Sequence, residues 1–569
     1  MRIKVLLVLL LSLLFINPAC ANAEKATIRV GISNQDFSCW DYQSIKLSSS
    51  DFVKIVSLAQ DTVNLPQELI KPNAIIEVIL DENAYNIFVD GELKYKNLSA
   101  PFVFSSNSQM QIPELDRKGL PAKYKGMIEI RNSKTKDKFN VINVVDMQNY
   151  LKGVVPNEMP VSFGLEALKA QAVAARNYAA NANINNNFDV ADSTASQVYY
   201  GLNSYRDISN AAVDETKGVY ILYNEKPITA LYFSTSSGIT DDWDDVFSNG
   251  SDKGFHPYLK SKIEKFGQKY INSENDAVEF LTSANGLDTN SPKFRWTVEF
   301  KRDELEEILH TTLLQQSKIG SVSPKYSGYE KIEGIKEIKV LKRTKSSKVT
   351  EILIAAKNGE YKITNELSIR KIFKKNNLML PSANFFVNAI GKESVYKEDK
   401  KEKKSVIEKI GNLRLFSYIE KEFYPATFKF MGGGFGHGVG MSQFGAYNMA
   451  KTGKKYPQIL KYYYSDINLS TYPKTVYFNE WDIHYKTEFY FDKNIYKEAC
   501  LLISNPKYAN EFPFKINEFD FSDTRSITNN RLIKMNITQY LKNGLNLIDF
   551  APLTNENKGK TIAYRVELL

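Results

Sequence analysis

From Leu165 to Ala182 the sequence is almost wholly strong helix formers, and a run of that kind folds as a helix of about five turns. Much of the remaining sequence reads differently. Short β-prone segments such as Thr27–Ile32, Ala74–Leu80 and Tyr85–Phe88 are separated by polar turns, with Asp90-Gly91 an evident turn pair. Strong helical blocks set among isolated strand segments imply an α+β architecture. At 569 residues the chain is too long for one hydrophobic core, and about three domains are expected. Hydrophobic residues make up 43% and charged residues 24%, ordinary globular values that exclude disorder or a fibre as the global answer.

Residues 1–23 read as a secretory signal peptide. Arg2 and Lys4 form a short basic start, Val5–Ile16 is an apolar run interrupted by Ser12, and Ala21-Asn22-Ala23 offers small residues for cleavage. The apolar run spans about 18 Å as a helix, short of the roughly 30 Å of a bilayer core. No later stretch is long and apolar enough to span one, so no membrane span is expected after signal cleavage. The expected location is outside the cytoplasm, in the periplasm, the cell wall or the medium. Cys20 lies in the signal, leaving Cys39 and Cys500. Two cysteines make no disulfide framework, and there is no CxxC pair. The net charge of +9 suits anionic partners or plain solubility, and export argues against nucleic acid as a partner.

Residues 24–125 are expected to form a small β-rich domain. Residues 126–470 form a second, larger region. It holds strand-like Phe139–Val145, a short helix capped by Asp146 and ended by Gly153, and a rigid turn from Pro156 to Pro160. The long helix follows with Ser162 as its N-cap, then a hairpin of Val219–Tyr223 with Ile228–Ser234 through Asn224–Pro227. Lys392–Lys409 is dense in lysine and glutamate and reads as a solvated insertion, at about residues 390–425. Gly432–Gly440 opens the helix Ser442–Ala450. Residues 471–569 carry strand segments at regular intervals, among them Cys500–Ile503 and Thr561–Leu568, as in a separate β-sandwich. Carbohydrate binding and simple packing both account for that pattern.

Glu158 is the most informative candidate. Held between two prolines just before a helix, it has a fixed position. Partial burial by Val155, Met159 and Phe163 would raise its pKa toward that of a useful general acid. An exposed turn glutamate is the plainer reading of the same residues. Lys169 and Arg176 stand seven residues apart on one face of the long helix, with Gln171 and Tyr178 on neighbouring stripes. They could orient a carboxylate, bind an acidic substrate, or form the polar face of an amphipathic helix. His437 sits in a loop whose glycines leave the imidazole accessible and let other backbone approach. That loop lacks both a strand-to-helix GxGxxG and the lysine of a phosphate loop, which argues against nucleotide binding.

Together these residues resemble a family. Tyr150-Leu151-Lys152-Gly153-Val154-Val155-Pro156-Asn157-Glu158-Met159-Pro160, followed by Glu166–Arg176, is similar to the core of the SpoIID/LytB family. This family contains the stage II sporulation protein D type of peptidoglycan lytic transglycosylase and its amidase-enhancer relatives. Asp192-Ser193-Thr194, Gln197-Val198-Tyr199, Ala230–Gly238, Ser346–Val349, Ile369-Arg370, Leu380–Ser382 and Gly436–Gln443 follow in the family's order. The resemblance spans roughly residues 130 to 469. It implies a SpoIID-like catalytic domain between the β-rich N-terminal domain and the C-terminal sandwich.

The resemblance also implies roles. Glu158 becomes the catalytic acid, while Lys169, Gln171, Arg176, Gln197, Tyr199, Ser236, Ser237, His437 and Gln443 line a substrate site. Metal-binding members carry cysteine, histidine and cysteine where this chain has Ala191, Ala195 and Ser196, so neither zinc nor another cofactor is expected. The implied reaction cleaves the bond between N-acetylmuramic acid and N-acetylglucosamine in peptidoglycan glycan strands, leaving 1,6-anhydro ends. One carboxylate serves as acid and then base, whereas a hydrolase needs two at a defined separation. Asp192, Asp241, Asp242, Asp244 and Asp245 are candidates for a second. The alternative is a non-catalytic, secreted wall-binding modulator that recruits or stimulates a cell-wall amidase.

Overall fold

The computed structural model describes residues 27–58, 68–247, 256–264, 267–284, 286–391, 393–395, 422–471, 474–477, 485–504, 514–521, 532–550 and 561–569. The signal segment and nearly all of the charged stretch Lys392–Lys409 lie outside these residues. The fold is α+β, with several separate sheets and two compact units. The first unit comprises residues up to Ala230, Gly453–Lys461 and Asp466–Leu569; the second comprises Leu231–Thr452 and Tyr462–Ser465. Among the described residues no helix is long and apolar enough to cross a membrane.

In the first unit, Thr27–Ile32 lies antiparallel to Phe139–Asp146 and parallel to Val190–Ala191. The expected boundary near residue 125 thus falls inside one seven-stranded sheet. Alternation of apolar and polar residues buries one face of these strands: Ile28, Val30 and Ile32 are all fully enclosed. Ser44–Ser49 and Ile76–Asp81 belong to a second sheet of six strands, in which Asp90-Gly91 joins Ala84–Val89 to Glu92–Leu98.

Three helices bear on the chemistry of this unit: Met147–Glu158, Leu165–Asn181 and Asp207–Asp214. The first departs from expectation. It does not end at Gly153 but runs through Pro156 to Glu158. Gly153 is required for another reason, since a Cβ there would stand 2.5 Å from the Tyr199 ring. Pro156 is tolerated in the last turn, where the helix ends within three residues. The long helix is capped by Gly164 at φ +85° and not by Ser162.

The expected hairpin is also shorter. Val219–Tyr223 pairs with Lys226–Pro227 alone, through a tight turn in which Asn224 and Glu225 both take positive φ. Tyr232–Phe233 pairs instead, in parallel, with Met441–Ser442 in the second unit. Val219–Tyr223 then opens a sheet that continues through Asn468–Thr471, Thr561–Leu568, Ala499–Ser504 and Leu532–Asn536. A four-stranded sheet, built on Tyr485–Phe491 and Gly544–Phe550, meets it where Tyr564 packs on Phe550 at 4.7 Å and bonds to Thr487. The expected boundary at residue 471 thus falls within a sheet that holds strands from both sides of it. Cys39 and Cys500 are free thiols.

The second unit packs the helix Arg302–Lys318 over strands Trp296–Lys301, Thr427–Gly432 and Phe385–Ile390 and a four-stranded sheet. Leu305, Leu309 and Leu313, spaced four apart, are all fully buried among Phe300, Phe428 and Phe430. Each such side chain contributes on the order of 2 kcal/mol through burial.

Candidate active site

Glu158 is the last residue of its helix. Asp146 caps the helix start by accepting the Asn149 N–H at 3.0 Å, and at the other end Met159 turns to extended backbone. The carboxylate is half-buried, and its Oε1 accepts the Val198 N–H at 2.7 Å. Val155, Met159 and Phe163, the apolar residues expected to enclose it, are all buried. Burial raises the Glu158 pKa to about 7 against the opposing pull of the Val198 hydrogen bond. A carboxyl with that affinity holds a proton near neutral pH and can also receive one.

Val198 is held in place by its neighbours. Asn157 exchanges hydrogen bonds with Ser204 at 2.8 and 3.0 Å and donates to Gly153 O at 2.7 Å. Gln197 accepts from the Tyr150 hydroxyl at 2.9 Å, and the Tyr199 hydroxyl donates to Asn143 at 2.7 Å. Gln197 and Tyr199 are buried. Their contacts fix the segment whose backbone holds Glu158. Sequence reasoning had no signal for a backbone donor, because an N–H carries no residue identity.

The long helix keeps its cations inside the unit. Lys169 is buried, with its ammonium 2.6 Å from Glu215 and 3.3 Å from Glu166. Arg176 is fully buried and donates to Val219 O at 3.0 Å, and Gln171 is fully buried as well. These contacts join the helix to Glu215, the residue that follows Asp207–Asp214, and to the strand Val219–Tyr223. Asp192 has a comparable structural setting. It accepts from the Ser33 N–H and hydroxyl and from Arg117 at 3.2 Å, all three residues buried. As a second carboxylate it has no free face to offer a water. Zinc does not fit the loop Val190–Ser196 either, because Ala191 and Ala195 carry no donor atom.

Ser236, Ser237, His437 and Gln443 belong to the second unit. The segment around Ser236 is buried and clasped by backbone, with Thr235 and Phe435 exchanging hydrogen bonds at 3.1 and 2.8 Å. Ser237 accepts from Asn384 at 2.9 Å. Asp288 takes the Ser236 N–H at 2.6 Å and the Ser442 hydroxyl, while Ser442 caps the helix Gln443–Lys451. Gln443 is buried at the start of that helix. Glu264, which accepts from Tyr463, lies near Asp288; burial first, then the Glu264 charge, pushes the Asp288 carboxyl far above its usual range.

His437 is fixed by backbone on both sides. Its Nε2 faces Tyr232 O at 3.0 Å and its Nδ1 accepts the Val439 N–H at 3.1 Å, which sets a neutral ring with the proton on Nε2. Burial, then the charges of Lys348 and Arg370, lower its pKa to about 3. Next to it, Asp241 and Lys348 form a fully buried pair at 3.3 Å, with Ser346 and Thr344 also bonded to Asp241. A Cβ on Gly438 would stand 2.1 Å from the Asp241 carboxylate. The glycine thus admits the carboxylate that anchors the loop.

Comparison with known proteins agrees with this division. The stage II sporulation protein (SpoIID) family model matches residues 135–223, which include Glu158, the long helix and Val198. A domain of unknown function (DUF8618) matches residues 245–440. The chain is 30% identical over 332 residues to the amidase enhancer of Bacillus subtilis (strain 168), covering 57% of this chain and 40% of that protein. It is 28% identical over 346 residues to stage II sporulation protein D of Bacillus amyloliquefaciens, covering 57% of this chain and 74% of that one. An uncharacterized protein of Brachyspira hyodysenteriae is 28% identical over 348 residues, covering 59% and 70%. The chain thus spans well under half of the amidase enhancer and about three quarters of the sporulation protein. It carries a SpoIID-family domain at residues 135–223 and shares more than half its length with SpoIID proteins and the amidase enhancer.

Proposed function

We propose that this protein acts on the cell wall as a peptidoglycan lytic transglycosylase, with Glu158 as the single acid and base. The observation that carries this reading is Glu158 itself, a half-buried carboxyl at a helix end, steadied by one backbone N–H, its pKa pushed up to about 7 by burial. Protonated Glu158 gives its proton to the glycosidic oxygen as the C1–O bond of N-acetylmuramic acid breaks. The carboxylate then takes the proton from the muramoyl 6-hydroxyl as that oxygen bonds to C1. The proton returns to Glu158, no water is consumed, and the product carries a 1,6-anhydro ring. The burial of Asp192 is consistent with a route that uses one carboxylate. Export through the N-terminal signal would place the protein where its substrate is.

The test is incubation of the purified full chain with peptidoglycan, followed by a search for anhydro-muropeptides. Glu158→Gln keeps the volume and the acceptor for Val198 but cannot deliver a proton, so the rate should fall by about 10²–10⁴. Because the acid form starts the reaction, kcat/KM should be full below pH about 7 and fall as the pH rises through it. Undiminished activity in a folded Glu158→Gln protein would remove Glu158 as the acid. The likeness to a protein named amidase enhancer supports a second reading. If wild type releases no anhydro product yet accelerates a cell-wall amidase, the protein is a modulator of that enzyme.

A further inference from the structure

Two residues beyond Val198 the chain presents Tyr200. Its N–H bonds to Gly153 O at 3.3 Å, which ties it to the helix carrying Glu158. Burial first, and then the charges of Asp192 and Glu158 against that of Arg117, hold its hydroxyl's pKa above the ordinary value. Phe37 packs against it with ring centroids 5.7 Å apart at 39°. Phe37 comes from a turn fixed by Asn34, whose side chain accepts the N–H groups of Ser38 and Cys39 at 2.9 and 3.3 Å. At φ +59° Phe37 occupies left-handed backbone, a region where bulky residues are rare. Its ring rests on the guanidinium of Arg117 at 4.3 Å, and Arg117 is buried and paired with Asp192. The backbone there would accept asparagine or glycine more easily, yet an aromatic ring is held in place and partly open to solvent.

The next residue after Arg117 adds a cation. Lys118 is exposed, and its ammonium stands 5.8 Å from the centre of the Tyr200 ring. Desolvation first, and then the charge of Arg206, lower the pKa of Lys118. The turn at Phe37 and the turn at Lys118 therefore converge on Tyr200, two residues from the Val198 N–H that holds the candidate acid. Phe37 and Lys118 precede the SpoIID-matched residues 135–223.

We propose that Phe37, Tyr200 and Lys118 form a glycan subsite beside Glu158, in which the two rings take the apolar face of an N-acetylated sugar and Lys118 takes a carboxylate borne by the same strand. The subsite rests on the reading of Glu158 as the acid of a peptidoglycan-cleaving site. Aromatic rings partly open to solvent suit the C–H side of a sugar ring, and a point cation suits a flexible carboxylate such as the lactyl group of N-acetylmuramic acid.

The test measures binding apart from cleavage, in the full chain carrying Glu158→Gln. The probes are an N-acetylglucosamine tetrasaccharide and a tetrasaccharide alternating N-acetylglucosamine with N-acetylmuramic acid. Phe37→Leu and Tyr200→Leu should each weaken both probes about two- to tenfold, and Phe37→Trp should not. Lys118→Asn suits the left-handed backbone at φ +62°. It should weaken only the carboxylate-bearing probe and reduce the salt dependence of its binding. Melting temperatures of Phe37→Leu, Tyr200→Leu and Lys118→Asn separate loss of binding from loss of fold. Binding within twofold of the parent in all the weakening variants overturns the subsite, as does failure of the parent to bind either probe. If the variants lose binding while wild type releases no anhydro product, the subsite stands and the transglycosylase reading falls. If wild type releases anhydro product and the variants bind normally, the reading of Glu158 stands and the subsite falls.

Discussion

His437 shows how local geometry decides what a reactive residue can do. With Nε2–H on Tyr232 O and Nδ1 receiving the Val439 N–H, the ring has a partner at each nitrogen, and a second proton would face a donor. Its pKa of about 3 lies below the ordinary 6.5, so protons favour the unfolded chain between those values. The stabilising contribution is complete above pH about 6.5 and is lost as the pH falls toward 3. Imidazole signals assigned to His437 should therefore not titrate between pH 5 and 8. His437→Ala should cost about 1–3 kcal/mol, because it leaves two backbone groups unpaired. A His437 midpoint between 6 and 7 by NMR would mean that solvent reaches the ring. Lys169 and Arg176 make the same point for charge. Their shared face was evident from helical spacing, but Glu215 and Val219, which receive them, lie far along the chain and no periodicity points to them.

Among the elements, the helix Met147–Glu158 depends on close approach at Gly153. Gly153→Ala should gain about 1 kcal/mol in helix propensity. The added methyl, however, would meet the Tyr199 ring and force it away. The expected net effect is destabilisation of about 1–3 kcal/mol, with a fall in activity because Tyr199 adjoins the segment that holds Glu158. A thermal melt of Gly153→Ala at or above the wild-type temperature would show that the ring can yield. Much at this scale is legible in the sequence: Thr27–Ile32, Val219–Tyr223, Cys500–Ile503 and Thr561–Leu568 lie in strands as expected, and the long helix ends one residue early at Asn181. Propensity and alternation are local, so they locate elements. They do not name partners, so they neither limit the hairpin of Val219–Tyr223 to Lys226–Pro227 nor point to its pairing with Asn468–Thr471. Gly153 reads as a stop in the sequence because a terminating glycine and a packing glycine look alike in one dimension. The candidate acid was legible because its flanking prolines are local too, whereas the Val198 amide was not.

At the scale of the whole molecule, the chain leaves its first unit at Ala230, rejoins it for Gly453–Lys461, completes the second with Tyr462–Ser465, and returns at Asp466. Thr561–Leu568 bonds to Asn468–Thr471, Lys474–Tyr477 and Ala499–Ser504, an interior place in its sheet. A chain ending at Thr471 should therefore lose cooperative unfolding of the first unit, as followed by circular dichroism and calorimetry, because it strips the neighbours from Asn468–Thr471. Wild-type melting of such a chain would show that those strands are dispensable. The same strand order also acts as a clock. Ser470 bonds to Val566, 96 residues later, so the sheet opened by Val219–Tyr223 stays unfinished until that late segment is delivered. The second unit has all its residues once Ser465 has emerged. A chain interrupted in between is a finished body tethered to a sheet with an open edge, the kind of half-made product that quality-control proteases can find and remove.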